Sequence, residues 1–131
     1  MKKVSISHIR RSYEKSSLDE KTVLAHPMQQ FQKWFDDHLR SNSLEPTAMT
    51  LCTADKKKIP SARIVLLKEY SAENGFIFYT NYESKKGSDL ASNPNASLLF
   101  YWPELERQIR IQGKVKKCTK AESESYFHTR P

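Results

Sequence analysis

The sequence has few of the residues that build several common kinds of site and scaffold. Its 131 residues include three glycines, Gly75, Gly87 and Gly113, which lie too far apart for the glycine-rich loop that cradles phosphates in many nucleotide-binding proteins. Cys52 and Cys118 are too few for a disulfide framework and show no metal-ligand spacing, so we expect two reduced thiols. No apolar run approaches the roughly 20 residues of a membrane helix. We therefore expect a soluble globular protein without a membrane span.

Sequence signatures of hydrolytic and exported proteins are also missing. The four histidines show neither an HExxH motif nor a Cys/His pattern, so the sequence predicts no metal site. A G-x-S-x-G nucleophile elbow is absent as well. The basic N-terminus, 1-MKKVSISHIRRSYEKSS-17, is not followed by the apolar segment of a signal peptide, and we expect a cytoplasmic location.

Basic residues outnumber acidic ones, 22 to 15, which gives a formal net charge of +7. They are dispersed in small groups, so a solvated surface accounts for most of them, and small phosphorylated ligands are also compatible with the pattern. A nucleic-acid-binding barrel is a further alternative. Its contact face would consist of Arg110, Gln112, Lys114 and Lys116, with Tyr101 and Trp102 as stacking partners.

Hydrophobic periodicity predicts one amphipathic helix followed by a series of short strands. The helix begins at Pro27 and places Met28, Phe31, Phe35 and Leu39 on one face. The predicted strands are residues 48–54, 61–68, 75–80, 96–102 and 107–118, with short helices at 84–94 and 119–131. Short turns between the first three strands favour antiparallel neighbours, with the second and third strands forming a hairpin. We expect one domain, mainly β with a few helices, folded as a small barrel or closed antiparallel sheet.

Four basic residues in two segments raise the question of a bound anion. Lys85 and Lys86 would lie in the first turn of the 84–94 helix, where the helix dipole disfavours cations and a phosphate would reverse that effect. A phosphate site and two solvated lysines are about equally compatible with this segment. In 63-RIVLLK-68, the period of two in a regular strand places Arg63 and Lys68 on opposite faces, and a bulge would change that geometry. The two cations then serve different ligands, or different ends of one site, or extend from the strand ends into solvent.

A series of motifs in fixed order resembles one enzyme family. The chain resembles the flavin-dependent pyridoxamine 5′-phosphate oxidases in six segments: 10-RRSY-13, 27-PMQQFQKW-34, 63-RIVLLK-68, 78-FYTNYESKK-86, 105-LERQ-108 and 126-YFHTRP-131. The resemblance implies an FMN-binding split β-barrel, antiparallel and homodimeric, with flavin at the subunit interface. In these terms residues 1–26 are an N-terminal arm, and residues 27–131 carry the helix and the barrel strands of a single domain.

The resemblance also implies roles for individual residues. Arg63, Lys85 and Lys86 would face the FMN phosphate, and Lys68 would lie near the substrate. The full set implied to contact FMN is Arg63, Ile64, Val65, Leu66, Leu67, Lys68, Tyr79, Thr80, Lys85, Lys86 and Gln108. The set implied for the substrate is Lys68, Tyr126 and Arg130, with the covering arm Arg10, Arg11, Ser12 and Tyr13. Some family members have an acidic residue where this chain has Ser12. No catalytic residue is identified, because the flavin performs the electronic step.

The implied reaction is oxidation of pyridoxamine 5′-phosphate or pyridoxine 5′-phosphate to pyridoxal 5′-phosphate, with dioxygen as acceptor and hydrogen peroxide as product. Family members continue beyond the YFHxRP motif into further strands with flavin and substrate contacts. The resemblance therefore implies a truncated chain, with a naturally short split-barrel protein as the alternative. It also implies a barrel incomplete at its C-terminus and weak or absent turnover by these residues alone. The alternatives are a non-catalytic FMN-binding module and the nucleic-acid-binding barrel described above.

Overall fold

The computed structural model describes residues 3–9, 26–80 and 85–118, and of Lys86 it describes the backbone alone. Its elements are helix α1 (Pro27–Arg40), strands β1 (Ala48–Ala54), β2 (Pro60–Ser71) and β3 (Gly75–Phe78), helix α2 (Lys85–Ser92), strand β4 (Asn95–Trp102), a short 3-10 helix (Pro103–Leu105) and strand β5 (Arg107–Lys114). Neither α-helix in these ranges has the length and apolar character needed to cross a bilayer. The predicted helix at 119–131 and its proposed residues lie outside the described residues.

The five strands form one antiparallel sheet in the order β3-β2-β1-β4-β5. The predicted hairpin of β2 and β3 and the antiparallel pairing of β1 with β2 are confirmed. β5 ends at Lys114 rather than at 118, because its partner β4 begins at Asn95, directly opposite Lys114. Within the described residues the sheet stays open, with β3 and β5 as its edges.

β2 is longer than predicted, and an irregularity divides it. The register with β3 shifts between Leu67 and Glu69, which marks a β-bulge at Lys68. Pairing then resumes, so β2 continues to Ser71, where the sequence predicted an end at Lys68. β3 ends earlier than predicted, at Phe78, which pairs with Leu67.

One face of the sheet is covered by α1, and the core lies between them. Phe31 lies at the centre, in ring contact with Phe35 of the same helix and with four rings from the sheet, Tyr70, Phe76, Phe100 and Trp102. Aromatic side chains bury large apolar areas, and edge-to-face packing adds to that gain. This aromatic cluster fixes α1 on the sheet.

The prediction that Leu39 completes the buried stripe of α1 is wrong. Leu39 is 48% exposed, and His38 is buried at 2%. Positions 31, 35 and 38 follow the helical repeat, and Leu39 lies one position further round the helix. His38 tolerates burial because its Nε2 donates to the carbonyl oxygen of Pro46 at 2.9 Å and its ring stacks on Trp102. Burial lowers the pKa of His38 below 6.5, which keeps the ring neutral at pH 7.

An ion-pair network joins α1 to the first residue of β5. Arg107 donates from Nη1 to Oδ2 of Asp37 at 3.0 Å, and its guanidinium carbon lies 4.5 Å from the ring centroid of Trp34. Arg40 donates to the other carboxylate oxygen at 2.6 Å. The Arg107 hydrogen bond is the main cause that holds the pKa of Asp37 below its usual 3.8.

We expect the substitution Asp37→Asn to lower the free energy of unfolding by about 1–2 kcal/mol at pH 7, because it removes charge-assisted hydrogen bonds. The folded pKa lies below the unfolded value, so this stabilisation is complete above pH 3.8 and is lost as the pH falls through the folded pKa. Urea unfolding at pH 7 and at pH 3 measures the difference. Asp36→Asn, at the exposed neighbouring position, is the matched control. A difference that stays constant down to pH 2 would contradict this assignment.

Candidate functional site

Arg63 lies on the core-facing side of β2, and Lys68 does not. Burial alternates along the strand, with Val65 and Leu67 buried beside Arg63 while Ile64 and Leu66 are exposed. The prediction that Arg63 and Lys68 lie on opposite sides of the strand is confirmed, since Arg63 is on the buried side and Lys68 is exposed at the bulge. The Arg63 side chain is only 21% exposed.

Arg63 is held from one side of its guanidinium group. Nη1 donates to the carbonyl oxygen of Leu51 at 3.0 Å and to Oγ1 of Thr53 at 2.9 Å, both on the neighbouring strand β1. The carbonyl oxygen of Ser61 lies at 3.5 Å from the same nitrogen. Within the described residues, every hydrogen bond of Arg63 comes from Nη1, so the donors on Nε and Nη2 are available to a ligand.

Helix α2 brings a buried carboxylate and a lysine to this point. Asp89 is 4% exposed, and its Oδ2 accepts a hydrogen bond from Oγ1 of Thr53 at 3.1 Å. Its Oδ1 lies 3.3 Å from Nζ of Lys85, one helical turn earlier. Nη2 of Arg63 lies 3.9 Å from Oδ2. We call these four residues, Thr53, Arg63, Lys85 and Asp89, the Asp89 cluster.

The Asp89 cluster contains two of the three cations that the family resemblance assigns to the FMN phosphate. Arg63 and Lys85, 22 positions apart in the chain, approach the same carboxylate. Two cations against one carboxylate leave an excess of positive charge, which favours a further anion. Lys86 belongs to α2, and its side chain lies outside the described residues.

Asp89 itself was missed by the sequence analysis. The available signal was its spacing of four from Lys85, because residues at i and i+4 are neighbours on a helix surface. An aspartate in a short polar helix normally indicates solvent exposure, so the sequence gave no reason to place this carboxylate against the sheet.

Two further predicted residues, Tyr79 and Thr80, lie between β3 and α2 and are half-buried. Oγ1 of Thr80 is inaccessible to solvent and has no hydrogen-bond partner in the described part of the chain. A buried hydroxyl without a partner is costly, and a ligand oxygen would satisfy it. Thr80 therefore fits a polar ligand at this point of the fold.

Gln108 is not brought to the Asp89 cluster. It is exposed on β5, opposite Tyr101 of β4, on the sheet face that α1 leaves open. Arg63 lies on the other face, three strands away in the sheet order. Six predicted residues lie outside the described residues, namely Arg10, Arg11, Ser12, Tyr13, Tyr126 and Arg130.

Comparisons with known proteins agree with the fold and with the motifs. Residues 35–131 match the family model described as pyridoxamine 5′-phosphate oxidase. Over 128 residues the chain is 55% identical to a Bordetella petrii protein named pyridoxine/pyridoxamine 5′-phosphate oxidase, an alignment that covers 98% of this chain and 60% of that relative. The chain thus spans about 60% of the length of this curated relative.

Solved structures show the same fold. PhzG from Burkholderia lata 383, in complex with tetrahydrophenazine-1-carboxylic acid, superposes with a TM-score of 0.83 at 26% identity, over 92% of this chain and 59% of that one. A pyridoxamine 5′-phosphate oxidase-related, FMN-binding protein from Nostoc punctiforme PCC 73102 gives a TM-score of 0.61 at 16% identity, over 80% of this chain and 56% of that one, which is a likeness of fold alone. The predicted fold class, a mainly β split barrel that is incomplete here, is confirmed.

Proposed function

The chain belongs to the pyridoxamine 5′-phosphate oxidase family, and from this we propose that it serves the FMN-dependent oxidation of pyridoxamine 5′-phosphate or pyridoxine 5′-phosphate to pyridoxal 5′-phosphate, with dioxygen as acceptor and hydrogen peroxide as product. The observation that carries the proposal is that Arg63 and Lys85 both approach Asp89, while the Nε and Nη2 donors of Arg63 form no hydrogen bond with a described residue. The name of the Bordetella petrii relative supports the reaction, and that of the Nostoc protein supports the cofactor.

The Asp89 cluster fits the phosphate of FMN. The Nε and Nη2 donors of Arg63, which no described residue uses, lie in one plane as a fixed fork. This arrangement matches the oxygens of a phosphate. Lys85 adds a second cation. Thr80, whose hydroxyl has no partner among the described residues, is a further donor that the family resemblance assigns to FMN. When bound, FMN supplies the acceptor for a hydride from the substrate. The task of this chain's residues is then to hold the cofactor phosphate at a fixed place on the sheet.

The positions of Gln108 and Arg63 support a homodimer with FMN at the interface. The two residues lie on opposite faces of the sheet within one chain. If both contact the same FMN, one of them comes from a second copy. The open face also presents exposed apolar side chains, Ile64, Leu66 and Tyr101, of the kind that an interface covers.

We place the substrate phosphate on the side of Lys68, Tyr126 and Arg130, with the arm of Arg10, Arg11, Ser12 and Tyr13 over it. Lys68 is exposed at the bulge, whereas Arg63 shares the face of the strand on which Val65 and Leu67 are buried. FMN and the phosphorylated substrate would therefore be bound by residues on different faces of the same strand. Binding the substrate through its phosphate uses contacts remote from the reacting carbon to orient that carbon.

Titration of the purified chain with FMN and with riboflavin tests the proposal. We expect FMN to bind at least about 100-fold more tightly, because two charge-assisted hydrogen bonds to the phosphate are each worth about 1.5 kcal/mol or more. Quenching of flavin fluorescence measures both Kd values. A chain that takes up no FMN would contradict the proposal.

Anaerobic addition of pyridoxamine 5′-phosphate to the FMN-loaded protein tests the reaction itself. Loss of the flavin absorbance in a single turnover is expected even where steady-state turnover is slow. Pyridoxamine, which lacks the phosphate, is the matched control and should reduce the flavin far less. Bound FMN that stays oxidised with both compounds would favour the non-catalytic flavin-binding module.

A further inference from the structure

We propose that Asp89 is a positioning residue that aligns Arg63 and Lys85 for the FMN phosphate, an inference that rests on the proposed function. Asp89 need not touch the phosphate to do this. It acts through the Thr53 hydroxyl and through Lys85, both of which contact its carboxylate.

The directions of the hydrogen bonds link Asp89 to Arg63. Arg63 has only donors, so the Thr53 oxygen accepts from Nη1. The single hydroxyl hydrogen of Thr53 then points to Oδ2 of Asp89. A carboxylate is an acceptor only, so this order cannot reverse. With Leu51 accepting the second hydrogen of Nη1, the guanidinium plane is fixed, and its remaining donors are turned toward the ligand side.

The second link is direct and fixes a long side chain. The Lys85 side chain is 63% exposed, yet its ammonium group lies 3.3 Å from the buried Oδ1 of Asp89. Without that carboxylate, Lys85 would be free to sample solvent, and the phosphate would have to order it on binding. Asp89 removes part of this ordering cost before the cofactor arrives.

Asp89 also carries a charge that repels a phosphate, and the geometry limits this effect. Nη2 of Arg63 lies 3.9 Å from Oδ2, too far for a hydrogen bond, so Asp89 does not occupy that donor. Two cations share the single carboxylate, and the cluster stays positive. Alignment therefore outweighs repulsion, and loss of Asp89 weakens phosphate binding.

The test compares FMN with riboflavin in the wild-type chain and in two isosteric variants, Asp89→Asn and Thr53→Val. We expect the ratio of the riboflavin Kd to the FMN Kd to fall about tenfold in each, while the riboflavin Kd itself changes less than twofold. Thr53→Ser, which keeps the hydroxyl, should restore the ratio. Thr47→Val, just before β1, is the matched control and should leave the ratio unchanged.

The possible outcomes separate the two proposals. A wild-type chain that binds FMN no more tightly than riboflavin would overturn the phosphate site, and with it the role of Asp89. If the wild type prefers FMN, an unchanged or increased ratio in Asp89→Asn and Thr53→Val would overturn the positioning role alone. Equal weakening of FMN and riboflavin would also overturn it, because a merely structural defect does not distinguish the two ligands.

Discussion

Replacing Arg63 with alanine is expected to raise the Kd for FMN about 100-fold. The guanidinium is mostly buried and rigidly held, so the donors that no described residue uses are already oriented when the ligand arrives. Two charge-assisted hydrogen bonds at about 1.5 kcal/mol each correspond to roughly that factor. Fluorescence titration of the variant with FMN measures it.

Two further variants separate the effect of the Arg63 charge from that of its planar donor group. Arg63→Lys keeps the charge but loses the planar fork, and we expect an intermediate affinity. Lys33→Ala removes an equally charged side chain, 60% exposed on α1, and should bind FMN like the wild type. Riboflavin should bind all three variants alike. If the FMN affinity of Arg63→Ala stays within threefold of the wild type, the phosphate lies elsewhere.

Replacing Phe31 with alanine should lower the free energy of unfolding by about 3–5 kcal/mol. Its ring is 5% exposed and contacts five other aromatic rings, so the substitution leaves a cavity between α1 and the sheet. Domains of this size have about 5–15 kcal/mol in total, so the variant will be close to unfolding at 37 °C. The midpoint and slope of urea unfolding at 25 °C measure the loss.

Leu44 provides the control for the Phe31 substitution. Its side chain is 99% exposed, and Leu44→Ala should change the free energy of unfolding by less than about 0.5 kcal/mol. Phe31→Leu, which retains much of the volume, should fall between the two. Similar losses for Phe31→Ala and Leu44→Ala would show that α1 is not held by the aromatic cluster.

Local features of the fold were predictable because they depend on neighbouring residues. The period-two pattern of 63-RIVLLK-68 placed Arg63 and Lys68 on opposite faces, and the burial pattern of the strand agrees with it. The start of α1 at Pro27 follows from the fixed φ of proline, and the hairpin at Gly75 follows from the freedom of glycine to adopt a positive φ, which is 72° here. Chain order and short turns then gave the β1-β2-β3 pairing.

Features that depend on distant partners were not predictable. Nothing in the sequence of β1 indicates that β4 pairs along its other edge, since 40 residues lie between the end of β1 and the start of β4. Burial of His38 instead of Leu39 depends on an acceptor at Pro46 and on the Trp102 ring. Asp89 is buried because Thr53 and Lys85 satisfy it, and such satisfaction is visible only in three dimensions.

The bulge at Lys68 makes the number of residues in β2 important, because one extra residue determines which later side chains face the core. Leu67 and Tyr70 both face the aromatic core, although they are three positions apart, an odd spacing that a regular strand would place on opposite faces. The one additional residue resets the alternation, so a solvent-facing lysine and glutamate can separate two core positions. Substitutions at 68 and 69 therefore change a surface, whereas loss or gain of one residue there would exchange the inside and the outside of everything that follows in the strand.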